Sequence, residues 1–591
     1  MKFLVKAEES NQYYYCDSPE VVIVANDAAE LLAAMQRIEV LQNDGYYVAG
    51  WLSYAAGAAL NPRQAVVPDQ SFPLLTMLAS RDVKTISLED CAPVSIQKFE
   101  ARIDKTTYES QYQKLIDYIL AGDLYQANFS FRANVGPVND PYALFCQLER
   151  EHPVPYAAYI ETEEWQVVSL SPELFLKQQG RELISEPMKG TIERGLSYAE
   201  DEALRRSLEK DEKNCAENLM IVDLMRNDLG RICETGSVAV PELFTAKRFH
   251  SLHQLISKVT GRLREKMSLE DILGATYPAG SITGAPKVRA MEVVAELEQD
   301  GRKAYTGSVG LFLPGGDFFL NVAIRTLTCQ RQLPGAPAEL GIGSGVVANS
   351  SGPEEWQECL LKSDFLRYRQ RHTEVFETML WRQDYLWLAE HLTRLEQSCG
   401  YFLIRFDLPS VRSKLDQLAK TFDEGRYRVR LAVDAAGKIH VRSSKLETEG
   451  WGKTQLKLCV STDRVNSKDR YQFHKTDHRP LYGPGFEAAR AAGFDEVLYL
   501  NEQGALAEGA ISNVFVRIGA SWLTPPEAAG LLAGIWRANQ LQSLNAAEEN
   551  IMLETLQSAE EILLGNSLRL GCNVGEIWFN DALIWPTKGE G

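Results

Sequence analysis

Lys213-Asn214-Cys215-Ala216-Glu217-Asn218-Leu219-Met220-Ile221-Val222-Asp223-Leu224-Met225-Arg226-Asn227-Asp228-Leu229-Gly230 reads as one helix, with Gly230 as its stop. Six of the seven positions from Leu219 to Met225 are apolar, which predicts a helix buried on most sides. A carboxylate at Glu217, in the first turn of such a helix, is costly unless it is paired or bound to a cation. The positive end of the helix dipole relieves at most about 2 kcal/mol of that cost. Glu217 is therefore the first candidate for a functional group.

Upstream, Ser185-Glu186-Pro187-Met188-Lys189-Gly190-Thr191 sets a lysine between a proline approach and a Gly-Thr exit. A lysine amine is a nucleophile only when neutral, and at pH 7 stripping its proton costs ~4.6 kcal/mol. Burial that depresses the pKa by ~3–5 units removes that cost. Glu173 follows the turn Ser171-Pro172 and precedes Lys189 by sixteen residues, the spacing of adjacent antiparallel strands and their loop. A carboxyl facing an amine across a sheet can be an acid working with a nucleophile, and a surface cross-strand ion pair fits the same spacing.

Downstream, Gly343-Ser344-Gly345 leads into Ser351-Gly352-Pro353-Glu354-Glu355-Trp356-Gln357-Glu358. Ser351 and Glu354 have capping-box spacing, so a helix starts here. Glu355 and Glu358 then share a face. Such oxygen ligands on a rigid helix suit Mg²⁺ that keeps waters, and a solvated face with a Glu358–Lys362 pair is the alternative. The small-residue turns Gly280–Lys287 (GSITGAPK) and Tyr305–Gly310 let a ligand approach backbone N–H groups. Arg325 reads as a charge inside an apolar strand that needs a buried anion, either a carboxylate ligand or one of the chain's own acids.

At 591 residues the chain exceeds one hydrophobic core. The change from helix to strand near 366–374 predicts two abutting bodies, 1–370 and 371–591, both mixing helices and strands in an α+β architecture. A net charge of −18 disfavours nucleic acid and anionic membrane as partners. Ten cysteines without a C-x-x-C pair argue against a disulfide framework or structural zinc. The start, Met1–Glu9, is too short in apolar residues for a signal-peptide core, and no run of about 18 apolar residues follows, so a cytoplasmic location is expected.

Together the Glu217 helix, the GSITGAPK loop and the closing Glu-Trp-Gln-Glu resemble the chorismate-utilising enzymes over roughly residues 40–366. The resemblance implies an α/β sandwich in which Mg²⁺, held by Glu217, Glu355 and Glu358, grips the ring carboxylate of chorismate. Ser281, Thr283, Lys287, Tyr305, Arg325, Gly343 and Gly345 would line the substrate. Family members that aminate chorismate at C2 look like P-I-A-G-T where those that aminate C4 carry P-I-K-G-T, and Pro187-Met188-Lys189-Gly190-Thr191 is similar to the second. Lys189 would then add at C2, Glu173 would protonate the departing 4-hydroxyl, and ammonia would add at C4. Asn214 and Gln254 depart from the family pattern, and no tryptophan-feedback motif is recognisable. No Gly-x-Cys-x-Gly nucleophile is present, so ammonia is expected from solution or from a separate glutamine amidotransferase subunit.

In the second body, Gln472-Phe473-His474-Lys475-Thr476 places one lysine in a turn, and Glu508 ends an apolar strand. Gly534-Ile535-Trp536-Arg537 and Gly565-Asn566-Ser567 are seats for a phosphate. One lysine, one strand-end carboxylate and two phosphate seats are what pyridoxal phosphate requires. With Phe376-Glu377-Thr378 and His391-Leu392-Thr393-Arg394-Leu395 they resemble the fold-type IV pyridoxal phosphate enzymes, a two-subdomain α+β module, over residues 374–591. The resemblance implies Lys475 as Schiff-base lysine, Glu508 as partner of the ring nitrogen, and Arg394, Ile535 and Ser567 as phosphate contacts. That family's usual N-terminal arm is missing, so its small domain is expected to borrow from the first body. Homodimer formation through this body is expected. Joined, the two bodies imply 4-aminobenzoate synthesis from chorismate and ammonia. Another chorismate aminator joined to an aminotransferase, or a non-catalytic chorismate sensor, are the rivals.

Overall fold

The computed structural model describes residues 1–591 except 8–9, 90, 97, 334, 367–373 and 587–591. By contacts the chain divides into one unit of Met1–Ile192 with Arg205–Gln370, and a second of Glu193–Leu204 with Arg371–Gly591. The boundary expected at 370 lies outside the described residues.

The first unit is built on two ten-stranded antiparallel sheets among the described residues. Their inner faces share one core, in which Phe3, Val5 and Ile160 of one sheet meet Trp51, Leu78 and Leu311 of the other. Helices Lys105–Leu120 and Lys287–Leu297 cover the outer face of the first sheet. Helices Ala28–Asn43, Glu212–Gly230 and Leu269–Thr276 cover that of the second. The result is a helix–sheet–sheet–helix sandwich of the α+β class, each sheet buried on both faces.

Three local expectations are corrected. The helix Glu212–Gly230 buries Asn218, Ile221, Val222, Met225, Asp228 and Leu229, a single stripe of helical period, and leaves Leu219 43% exposed. Apolar count overstated its burial because count ignores direction. The helix Gly352–Leu361 starts where predicted, but Ser351 makes no side-chain cap, so the capping box is not formed. Arg325 lies between the strands Phe318–Asn321 and Thr326–Gln330, with φ +49°, rather than inside a strand.

The second unit pairs a four-stranded antiparallel sheet with a nine-stranded mixed sheet, each with its own core. Helices Leu388–Tyr401 and Leu408–Ala419 pack on the smaller sheet. Among the described residues no helix is long and apolar enough to cross a membrane.

Candidate active sites

In the first unit Lys189 stands on the edge strand Met188–Glu193 of one sheet, and Gly345 on the strand Ala338–Val347 of the other. A methyl group added at Gly345 would lie 2.5 Å from Lys189 Nζ and 2.8 Å from Gln126 Nε2. Glycine is therefore what lets the amine reach across. Burial, reinforced by the Lys362 ammonium, lowers the Lys189 pKa, while Glu217, Glu173 and Glu358 oppose the shift.

Glu173 is buried, and the Met188 N–H donates to its Oε1 at 3.4 Å. Burial drives its carboxyl up to about 7, against the pull of the Ser281 hydroxyl and the Lys189 ammonium. The spacing argument thus brings together the acid and the amine. Burial also raises Glu217, with Lys189 and Lys213 opposing and Glu355 and Glu358 adding to the rise. Glu355 is 8% exposed, and its Oε2 has no hydrogen-bond partner. Such an orphaned carboxylate oxygen, facing the charges of two further acids, fits a hard cation. Among the described residues no ready-made cluster of three or more His, Cys, Asp or Glu exists for a metal, so water and a ligand would have to complete the shell. Glu358, its side chain 47% exposed, accepts from Lys362 Nζ at 2.7 Å; partial desolvation pushes its carboxyl up, but Lys362, with Lys189 and Lys213, holds it below the usual value. Lys362 also donates to the Gly343 carbonyl at 3.0 Å.

Among the described residues no carboxylate stands against the Arg325 side chain. Burial lowers its guanidinium to about 10 with no carboxylate opposing the shift. Tyr305 is clamped: the Arg132 guanidinium lies 4.9 Å from its ring centroid, and a methyl at Gly341 would meet its Cγ at 2.1 Å. Ser281 is buried, and its hydroxyl faces the Glu173 carboxyl without closing a hydrogen bond to it. Thr283 and Lys287 are engaged elsewhere. The Thr283 hydroxyl closes its own turn onto the Ala279 and Gly280 carbonyls, and Lys287 donates to Asp228 at 2.6 Å and to the Thr276 carbonyl at 2.8 Å. Sequence reasoning did not single out Gln126, whose buried Oε1 has no partner; the Glu358–Lys362 pair it offered as the solvated-face alternative does form, with both side chains exposed.

In the second unit Lys475 follows the short helix Arg470–Gln472, and its carbonyl accepts from the Phe376 N–H at 2.9 Å. Its Nζ lies 4.9 Å from the centre of the Phe376 ring. Burial, with Arg479 and Arg394 adding, lowers the amine to about 7. Glu508 is 3% exposed at the end of the strand Leu506–Gly509, held by Arg479 at 3.2 Å, the Leu532 N–H at 3.2 Å and Asn513 at 3.4 Å. Burial drives it up to about 7, Arg479 opposing. Arg394 is fixed by two bonds to Glu377, at 2.8 and 2.7 Å, and one to the Ala533 carbonyl at 2.9 Å. Ile535 opens the helix Ile535–Ser543, whose N-cap Gly534 supplies no side-chain cap. Ser567 is buried beyond the strand Glu561–Asn566. An uncapped helix N-terminus, a fixed guanidinium beyond that helix start and a neutralisable amine beside a buried acid fit pyridoxal phosphate. Arg479, four residues beyond Lys475, was missed; its charge changes the pKa of both Lys475 and Glu508.

Residues 89–368 match the family model for chorismate binding enzymes, and residues 374–577 that for amino-transferase class IV. Over 264 residues the chain is 40% identical to aminodeoxychorismate synthase component 1 of Klebsiella aerogenes, covering 45% of this chain and 58% of that protein. Over 278 residues it is also 40% identical to anthranilate synthase component 1 1 of Haloarcula marismortui, covering 47% of this chain and 56% of that protein. The chain thus spans little more than half the length of these curated relatives. Anthranilate synthase component I of Streptococcus pneumoniae superposes with a TM-score of 0.53 at 24% identity, over 61% of this chain and 93% of its own, a likeness of fold.

Proposed function

We propose that the chain makes 4-aminobenzoate in two consecutive steps, because residues 89–368 match the family model for chorismate binding enzymes and residues 374–577 that for amino-transferase class IV. The first aminates chorismate at C4; the second eliminates pyruvate from the aminated product. Overall identity does not separate C4 from C2 amination, since relatives of both kinds match at 40%. The observation that carries the reading is the half-buried Lys189, its amine lowered in pKa and set beside the raised carboxyl of Glu173.

In the first step the Lys189 lone pair forms a bond to C2 of the ring. The ring electrons shift, and the C4–O bond breaks with the oxygen leaving as water on the proton of Glu173. Such general-acid help contributes about 10²–10⁴-fold. Ammonia then bonds to C4, the electrons return, and the Lys189 amine leaves C2. Arg325 and the Ser281 hydroxyl bind substrate carboxylate, and Tyr305 orients it. Glu217, Glu355 and Glu358 would hold Mg²⁺, which when bound offsets the carboxylate charge. The ammonia source is a separate glutamine amidotransferase or free ammonium.

For the second step Arg394, the N-terminus at Ile535 and Ser567 would seat the phosphate of pyridoxal phosphate. When bound, that cofactor supplies an electron sink. Glu508 stands to share a proton with its ring nitrogen. Lys475, held near neutrality, moves a proton at its Nζ. The test is to supply chorismate, ammonium, Mg²⁺ and pyridoxal phosphate and to identify the aromatic product. 4-Aminobenzoate with pyruvate supports the reading, and anthranilate contradicts it.

A further inference from the structure

Residues Glu193–Leu204 belong to the second unit, although the chain reaches them four residues after Lys189. Their seat there is built around a guanidinium. Arg194 is buried; its Nε donates to Asp201 Oδ1 at 2.6 Å and its Nη2 to Asp201 Oδ2 at 3.1 Å. The same Nη2 donates to the Tyr401 carbonyl at 2.8 Å, and the guanidinium lies 4.3 Å from the Tyr401 ring centroid. The Tyr401 hydroxyl donates in turn to the Gly195 carbonyl at 2.7 Å. Tyr198, from the same segment, packs into the apolar core that contains Tyr401.

The chain of contacts runs on to the lysine. The Tyr401 ring lies 4.1 Å from the imidazole of His474, the residue before Lys475, and His474 Nδ1 shares a hydrogen bond with Ser398 Oγ at 3.0 Å. His474 is 3% exposed, and burial drives it down to about 3, so the ring is neutral. On the far side the Lys475 carbonyl is tied to Phe376. The backbone at Lys475 is thus fixed from two directions, and one of them ends in Arg194. Desolvation takes back much of the attraction in a buried ion pair, whereas loss of one partner leaves a charge stranded. Such a pair contributes a defined arrangement more than net stability.

We propose that Glu193–Leu204 is an integral part of the cofactor unit, with Arg194 a positioning residue that acts through Tyr401 and His474 to set the Lys475 amine. This rests on the reading of Lys475 as the cofactor lysine. The experiment uses the full-length chain freed of cofactor. The pH dependence of Lys475 labelling by an amine reagent is followed by peptide mass spectrometry, and pyridoxal phosphate affinity by equilibrium dialysis. Arg194→Ala should move the labelling midpoint by about half a pH unit or more and raise the dissociation constant about tenfold. Arg194→Lys, which keeps the charge, should recover part of both changes. Tyr401→Phe removes one hydroxyl and keeps the ring; it should shift the midpoint in the same direction by a smaller amount, and it carries the test if Arg194→Ala does not fold. A midpoint and a dissociation constant that stay at the native values in Arg194→Ala, or in Tyr401→Phe where that variant carries the test, overturn the proposal. Should the native chain take up no pyridoxal phosphate, the cofactor reading falls, and the labelling midpoint alone judges the positioning role.

Discussion

Lys189 and Lys475 are both half-buried, and desolvation lowers the pKa of both amines, but the company differs. At Lys189 burial is reinforced by one cation, Lys362, and opposed by three carboxylates, Glu217, Glu173 and Glu358. At Lys475 burial is reinforced by two guanidiniums, Arg479 and Arg394, and opposed by two carboxylates, Glu377 and Glu508. An anionic ligand entering the first site meets acids and needs a cation beside it. A phosphate entering the second meets positive charge and an open helix N-terminus directly. On the proposed reading, the same residue type serves carbon chemistry on a metal-bound acid in one unit and holds an aldehyde cofactor in the other.

The sharpest way to break this comparison is to delete each amine. Lys189→Ala should lower C4 amination about 10⁴-fold or more while leaving pyruvate elimination from supplied aminodeoxychorismate unchanged. Lys475→Ala should do the reverse, and the aminated intermediate should accumulate in chromatograms. Next in size, Glu173→Gln should slow amination by about 10²–10⁴-fold. In the native chain Glu173, raised to about 7, is protonated below that pH and loses its proton above it. Amination limited by this acid should therefore be flat below pH 7 and fall about tenfold per unit above it, a slope that Glu173→Gln should erase. Chelation of divalent metal should stop amination and spare elimination, since the acids of the second site, Glu377 and Glu508, are paired to Arg394 and Arg479 whereas Glu355 of the first has a carboxylate oxygen without a hydrogen-bond partner; equal losses would dissolve the distinction. Smallest, Arg325→Lys should raise the KM for chorismate about tenfold with little change in kcat, because a lysine cannot make the paired bonds of a guanidinium to a carboxylate.

Much of this was legible in the residues. Glu173 and Lys189 were paired by strand spacing, a short-range rule, and the structure sets the Met188 N–H against Glu173. The resemblance puts Gly345 against substrate, whereas a methyl there would lie 2.5 Å from the Lys189 amine, which comes from the other sheet. Long-range geometry was not legible. Lys287 was assigned to substrate by motif, yet Asp228, distant in sequence, holds its amine at 2.6 Å. Arg325 looked like a strand residue because its neighbours are apolar, and its positive φ leaves no trace in composition. The missing arm predicts that the second body borrows from the first, but nothing local marks Glu193–Leu204 as the segment that the contacts assign to it.

The most direct test of the two-amine account is a single incubation of the native chain with chorismate, ammonium, Mg²⁺ and pyridoxal phosphate, read by mass spectrometry of the aromatic product, beside the same incubation of Lys189→Ala and Lys475→Ala. The account predicts 4-aminobenzoate from the native chain, unreacted chorismate from the first variant and aminodeoxychorismate from the second. 4-Aminobenzoate at the native rate from both variants would contradict it.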